Sequence, residues 1–316
     1  MYIGIDLGGT NIAVGLVDKK GKILQKASTP TLRERHWSEI VKDMVIMTHK
    51  VTEAAGKNLA DIKVIGIGIP GNIDNENGIV VRAANLNMTN VHIAEEFRKY
   101  IDIPVNLEND ANAAAYGEYF VQDPRRDNFL MVTLGTGVGG GIVIKGKIFR
   151  GFNGAGGEIG HHVIHTDGEK CACGRRGCYE TYASVTALIN QTKRKMAERP
   201  DSMMHEWVKN NGAVNGFTAF DCAKKGDSAA IEVRDRYITY VAEGIVNLIN
   251  IFQPETVVIG GGISYEGDTL LNPIREFVEK NEFNKQGPRT QIEVATLFND
   301  AGIVGAAMSA KKQKFL

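Results

Sequence analysis

One local pattern occurs twice in this chain, and it limits the possible folds more than any other feature. An apolar strand runs into a glycine–threonine turn and returns as a second apolar strand at Ile5-Asp6-Leu7-Gly8-Gly9-Thr10, and again at Val132-Thr133-Leu134-Gly135-Thr136-Gly137. The first half predicts strands over 2–6, 12–17 and 22–27. Trp37, Ile40, Val41, Met44, Val45, Thr48 and Val51 then mark one helical face, and Gly56 stands where a C-terminal cap belongs. A strand over 64–69, a helix over 93–101 and a strand over 105–107 follow. The second half restarts with strands over 129–134 and 141–144. It continues with a helix over 229–252, a strand over 256–260, a helix over 270–278, a strand over 292–297 and a helix over 302–310. Strands alternating with helices predict an α/β architecture. The polar stretch 198–216 reads as loop, and the tail Lys311-Lys312-Gln313-Lys314 as a solvated helix end.

A chain of 316 residues has room for two domains. The repeat predicts a small α/β domain over 1–109 and a larger one over 110–300, with a final helix in 301–316 packing back on the first. Two such units facing each other form a cleft with one phosphate loop on each wall. The 37 lysines and arginines equal the 37 aspartates and glutamates, so there is no electrostatic footprint for nucleic acid or an anionic membrane. No apolar run is long enough to span a bilayer. The N-terminus enters Tyr2-Ile3-Gly4-Ile5-Asp6 without a secretory pattern, which predicts a cytoplasmic protein.

Glycines at 8 and 9 allow backbone N–H groups to approach phosphate oxygens, and Thr10 and Asn11 add side-chain donors. A simple hairpin turn needs the same glycines. Gly135-Thr136-Gly137 reads in the same two ways, but a pair of such turns heading repeated units favours phosphate. Neither fits the G-x-x-x-x-G-K-S/T pattern of a P-loop. If the turns hold phosphate, Asp6 at the strand end would help hold the accompanying magnesium through water. Asn109 and Asp110 precede the helix-forming run Ala111-Asn112-Ala113-Ala114-Ala115. Both residue types cap helices. A carboxylate at the C-terminal end of a strand also points where α/β proteins bind ligands, and it can take a proton from a hydroxyl as a phosphoryl group transfers.

Three of the four cysteines lie close together, at Cys171, Cys173 and Cys178, with His161 upstream. Thiolates and an imidazole suit tetrahedral zinc, and four protein ligands close the site. His162 and His165 are rivals for the fourth position. The metal would clamp Glu158 and Glu180, candidate hydrogen-bond acceptors, and His161 can bind metal through one ring nitrogen and donate from the other. Cys222 reads as a small buried residue.

Glu158-Ile159-Gly160-His161 followed by C-x-C-G-x-x-G-C-x-E resembles the signature of the ROK family (repressors, open reading frames, kinases). The resemblance takes in Asp6-Leu7-Gly8-Gly9-Thr10 and Leu134-Gly135-Thr136-Gly137-Val138-Gly139-Gly140-Gly141, in the expected order over nearly the whole chain. It implies the actin-like ATPase (ribonuclease H-like) fold and an ATP-dependent hexose kinase with Mg²⁺ and structural Zn²⁺, in a homodimer or homotetramer. Asp110 then corresponds to the general base and Asn109 to a sugar ligand. Gly71, Asn85, Glu158, His161 and Glu180 complete the sugar set, and Gly260, Gly261 and Gly262 lie against adenosine. His161, Cys171, Cys173 and Cys178 hold the zinc. Glucose is the favoured substrate; fructose, mannose, allose, N-acetylglucosamine and N-acetylmannosamine are the alternatives. The family often has a proline before the Asn85 segment and an aromatic residue after it, whereas this chain has Ala84 and Met88. A sugar-sensing repressor, the rival within the family, is expected to carry a DNA-binding segment ahead of Asp6. An actin-like filament protein would not need the Cys/His set.

Overall fold

The computed structural model describes residues 1–312. Along the chain the elements are β1 (Tyr2–Leu7), β2 (Asn11–Val17), β3 (Ile23–Pro30), α1 (Trp37–Ala54), β4 (Ile65–Ile69), β5 (Asn72–Asp74), β6 (Ile79–Ala83), β7 (Met88–Val91), α2 (Ile93–Arg98), β8 (Val105–Asn109), α3 (Asp110–Val121), β9 (Phe129–Leu134), β10 (Val138–Ile144), β11 (Lys147–Ile148), α4 (Glu180–Ala183), α5 (Val185–Glu198), α6 (Met204–Asn211), α7 (Thr218–Lys224), α8 (Ser228–Phe252), β12 (Thr256–Gly260), α9 (Asp268–Asn281), β13 (Gln291–Val294) and α10 (Ala301–Lys312). The end of the predicted 301–316 helix and of the charged tail, residues 313–316, lies outside the described residues.

Two compact units divide the chain. Unit 1 comprises Met1–Phe129, Gly141–Gly157 and the described residues from Thr296 onward; unit 2 comprises Leu130–Gly140 and Glu158–Ala295. Unit 1 thus keeps α3 and residues 141–157, which the sequence reading assigned to the larger domain. The reason lies in packing: α3 runs against α10, and where they cross a side chain on Gly305 would overlap the Ala113 carbonyl.

Unit 1 is built on the sheet β3-β2-β1-β4-β8, antiparallel from β3 to β1 and parallel from β1 to β8. Period-2 alternation gives its central strands two different faces. Ile3, Ile5 and Leu7 join Ile65, Ile67 and Ile69 in a solvent-excluded core with Ile40, Val41 and Met44 of α1. The opposite face carries a row of glycines, because Gly4 is in register with both Gly15 and Gly66. α10 lies on that row. A Cβ on Gly4 would overlap the Ile303 carbonyl, and one on Gly66 the Ala306 carbonyl. The helix matches this flat surface with Ala301, Gly302, Gly305, Ala306, Ala307 and Ala310, all buried.

The short strands β5, β6 and β7 form a separate antiparallel sheet in unit 1. The second five-stranded sheet has the order β11-β10-β9-β12-β13, with β12 and β13 parallel. In unit 2, α8 packs against α4, α5, α7 and α9. The stretch 198–216, read from its polarity as loop, contains α6. Met204 anchors that helix fully buried, while Asp227 caps the segment before it by accepting from Ser202 Oγ at 2.9 Å.

Candidate active site and metal centre

In unit 1, β8 ends and α3 begins at Asn109. Asn109 is the helix cap: its Oδ1 accepts from Asn112 N at 3.1 Å, while its Nδ2 donates to the Gly71 carbonyl at 3.1 Å. The capping role is therefore real for Asn109, and one N–H and one lone pair of its amide remain for a ligand. Asp110 is the first helical residue. Its Oδ1 accepts from Ala111 N at 2.8 Å, and Oδ2 has no hydrogen-bond partner among the described residues. Burial lifts the Asp110 pKa above the ordinary carboxylate value, which makes it a stronger base.

The same unit brings Asp6 into play. Burial first, and then the negative charge of Asp110, push the Asp6 carboxyl up to about 6. No cation of the described residues pairs with it, so a divalent metal suits this position. The turn after Asp6 is closed by Gly8 N donating to Asn11 O at 2.9 Å and by Thr31 Oγ1 donating to Gly8 O at 2.7 Å. These bonds leave the Thr10 hydroxyl and the Asn11 amide unspent among the described residues. A Cβ placed on Gly9 would lie 3.9 Å from the Asn85 Cβ. Unit 1 thus gathers Asp6, Gly8, Gly9, Thr10, Asn11, Gly71, Asn85, Asn109 and Asp110 from four separate stretches of chain.

Unit 2 gathers the remaining expected residues. The turn Gly135-Thr136-Gly137 is pinned to the start of α5: Val185 N donates to Gly135 O at 2.8 Å, and Thr186 Oγ1 to Thr136 O at 2.7 Å. Gly261, with φ +89°, runs so close to the end of β9 that a Cβ there would come within 2.6 Å of the Leu134 carbonyl carbon. Gly260-Gly261-Gly262 therefore adjoins Gly135-Thr136-Gly137, a neighbourhood that sequence separation conceals. Glu180 reaches the same turn, its Oε2 accepting from Val138 N at 2.9 Å. Glu158 is exposed at the head of the short 3-10 turn Ile159–His161.

His161, Cys171, Cys173 and Cys178 form one cluster, with their ligand atoms all within 4.8 Å of one another. Cys173 Sγ and Cys178 Sγ are 3.7 Å apart, as are Cys171 Sγ and His161 Nδ1. A tetrahedral ion with metal–sulfur bonds of about 2.3 Å and a metal–nitrogen bond of about 2.0 Å sets S···S at about 3.8 Å and S···N at about 3.5 Å. The residues therefore fit a metal ion. Backbone bonds hold the loop: Cys171 N to Arg175 O at 2.9 Å, Gly174 N to Cys171 O at 3.0 Å and Gly177 N to Glu169 O at 2.8 Å. His162 is otherwise engaged, donating from Nδ1 to Ile159 O at 2.5 Å and packing on Tyr179. His165 stacks on Tyr182. Cys222 is buried in α7, as expected.

Two functional candidates escaped the sequence reading, Glu108 and Arg150. Glu108 is a 3% exposed carboxylate in β8, and Arg150 donates to it from Nε at 2.9 Å. A carboxylate directly before Asn109-Asp110 was the available signal for Glu108.

The two five-stranded sheets, each with a glycine turn at a strand end, are those of the actin-like ATPase class. Within that class the chain belongs to the ROK family, which it matches over residues 2–313. It is 37% identical to a protein named glucokinase from Thermotoga maritima, over 98% of this chain and 97% of that one. It is 31% identical to a xylose repressor from Caldicellulosiruptor bescii, over 96% of this chain and 76% of the repressor. The crystal structure of a ROK family glucokinase from Streptomyces griseus, in complex with glucose and AMPPNP, aligns with a TM-score of 0.81 at 33% identity, covering 99% of both chains.

Proposed function

We propose that this chain is an ATP-dependent hexokinase that converts glucose to glucose 6-phosphate with Asp110 as general base. The observation that carries the reading is the partly buried Asp110 carboxylate, gathered in one unit with the Gly8–Asn11 turn, Gly71, Asn85 and Asn109. The glucose and AMPPNP bound to the Streptomyces griseus relative support the choice of substrates.

A sugar hydroxyl attacks phosphorus poorly while it keeps its proton. Asp110 Oδ2 accepts that proton as the 6-oxygen bonds to the γ-phosphorus and the bond to the β,γ-bridging oxygen breaks, releasing ADP. Asp110 later returns the proton to water. Asn109 orients the acceptor through its amide while its cap bond keeps the side chain in one rotamer, a contribution of proximity and alignment. Gly71, Asn85, Glu158, His161 and Glu180 take the remaining sugar hydroxyls. The backbone N–H groups of Gly8–Asn11 and Gly135–Gly137 take phosphate oxygens, and Gly260–Gly262 packs on the adenosine. Asp6 would hold Mg²⁺, and the bound ion would offset phosphate charge.

The metal suited to the cluster is zinc, which His161 Nδ1, Cys171, Cys173 and Cys178 would hold. All four positions are protein ligands, so the ion orders the loop and leaves His161 Nε2 to donate to sugar. The protein is further proposed to be cytoplasmic and to assemble as a homodimer or homotetramer. No helix among the described residues is long and apolar enough to cross a membrane.

Coupled ADP release with ATP and Mg²⁺ across glucose, fructose, mannose, allose, N-acetylglucosamine and N-acetylmannosamine tests the reading. The highest kcat/KM is expected for glucose, because a site built to bond a hydroxyl rejects analogues lacking it by roughly 10⁴ or more. An N-acetyl sugar well ahead of glucose would remove the glucokinase assignment while leaving the kinase. A second reading, a sugar sensor without turnover, has the kinship with xylose repressors in its favour. Sugar binding with no ADP release for any sugar would select it.

A further inference from the structure

Glu108 is a buried carboxylate with four donors. Oε2 accepts from Arg150 Nε at 2.9 Å and Nη2 at 2.5 Å, and Oε1 accepts from Asn109 N at 3.0 Å and Asn112 Nδ2 at 3.4 Å. The two oxygens thus face opposite ways. One holds the strand-to-helix turn that carries Asp110, and the other holds an arginine at the start of the loop over residues 150–157. That loop is closed by Gly156 N donating to Arg150 O at 2.8 Å. Farther round it, Gly154, with φ +80°, lies so near β5 that a Cβ would come 2.7 Å from the Ile73 carbonyl oxygen and 3.4 Å from Asn72 Oδ1. Asn72 follows Gly71, whose carbonyl accepts from Asn109 Nδ2. The contacts therefore form a ring within unit 1: Glu108, Arg150, the 150–157 loop, Asn72 and Gly71, Asn109, and back to Glu108.

We propose that Glu108 and Arg150 are a positioning pair that fixes the Asn109–Asp110 turn and the 150–157 loop as one rigid unit, and so sets kcat for phosphoryl transfer. The proposal rests on the reading of Asp110 as general base. Neither residue touches the reacting atoms. Their effect comes through the geometry of the base, where a displacement of about 1 Å can cost about 10²-fold in rate. A bidentate guanidinium suits the task because its planar fork fixes orientation as well as distance. Asn72 Oδ1, buried without a hydrogen-bond partner, sits on this ring.

Removing one partner strands a buried charge and threatens the fold. The main variant is therefore the double one, Glu108→Gln with Arg150→Gln, which leaves no charge behind. It is expected to fold, to bind glucose within about 3-fold of wild type, and to lose roughly 10–100-fold in kcat. In Arg150→Ala, millimolar guanidinium is expected to restore part of kcat, a recovery that general destabilisation would not give. Hydrogen exchange supplies a readout independent of turnover: the Asn109 and Asn112 amides should exchange faster in the double variant, together with Gly156. A folded double variant with wild-type kcat and unchanged exchange at 109–112 would overturn the proposal. If the wild-type protein turned over no hexose, the kinase reading would fall, and exchange alone would decide: coupled deprotection upholds the rigid ring, and independent behaviour of the two segments removes it.

Discussion

Asp6 carries the largest testable charge effect at the scale of single residues. Its folded-state pKa of about 6 lies above the ordinary carboxylate value, chiefly through burial. A raised carboxylate pKa means that the group contributes stability below its unfolded pKa, and that this contribution is lost as pH rises through about 6. The shift of about two units corresponds to at most about 3 kcal/mol of opposition to folding at neutral pH. Asp6→Asn in the ligand-free protein should therefore raise Tm at pH 7.5, and the gain should shrink to nothing near pH 4, while Mg-nucleotide turnover falls. A variant less stable than wild type at pH 7.5 would mean that the Asp6 charge is satisfied within the protein. Asp6, Asn109 and Asp110 were legible in the sequence because polar residues at the ends of apolar strands stand out. Glu108 stood beside Asn109-Asp110 without being singled out, and Arg150 was not recognised because their partnership spans 42 positions.

The metal loop is the element whose order depends most on something outside the chain. Apparent binding energies for structural Cys/His zinc sites are on the order of 10 kcal/mol near neutral pH. Protein purified without added metal should carry about one zinc per chain by elemental analysis. Stripping it should speed hydrogen exchange over 161–178 and lower sugar affinity through His161 before the sheet of unit 1 is affected. A fully active protein without metal would reduce the cysteines to packed thiols. The loop was legible because cysteine spacing is a local code, and so were two apolar strands that run into glycines: strand 129–134 and strand 256–260 match their predicted limits. Short elements defeated the reading. β5, β6 and β7 pass for turns because they are short and lie among asparagine-rich turns, and α6 hides in a polar stretch whose one deep anchor is Met204.

At the scale of the whole molecule, the order of the chain matters less than its return: α10, from the last segment, completes the core begun by β1. The glycine row Gly15, Gly4 and Gly66 makes that return possible, and it was invisible in the sequence because its members come from three strands. Gly66→Val should drive α10 off the sheet and destabilise the protein by at least the 1–3 kcal/mol typical of overpacking, seen as a lower Tm and poor soluble yield. Unchanged thermal stability would show that α10 can shift without cost. The central claim, that the protein transfers phosphate to a sugar with Asp110 as its base, is tested most directly by comparing Asp110→Asn with wild type. Glucose binding by calorimetry and ADP release at saturating ATP and Mg²⁺ should be measured on the same preparations. The account expects near-wild-type glucose affinity, an intact fold and a kcat lower by roughly 10²–10⁴. Wild-type turnover in a correctly folded Asp110→Asn protein would contradict it.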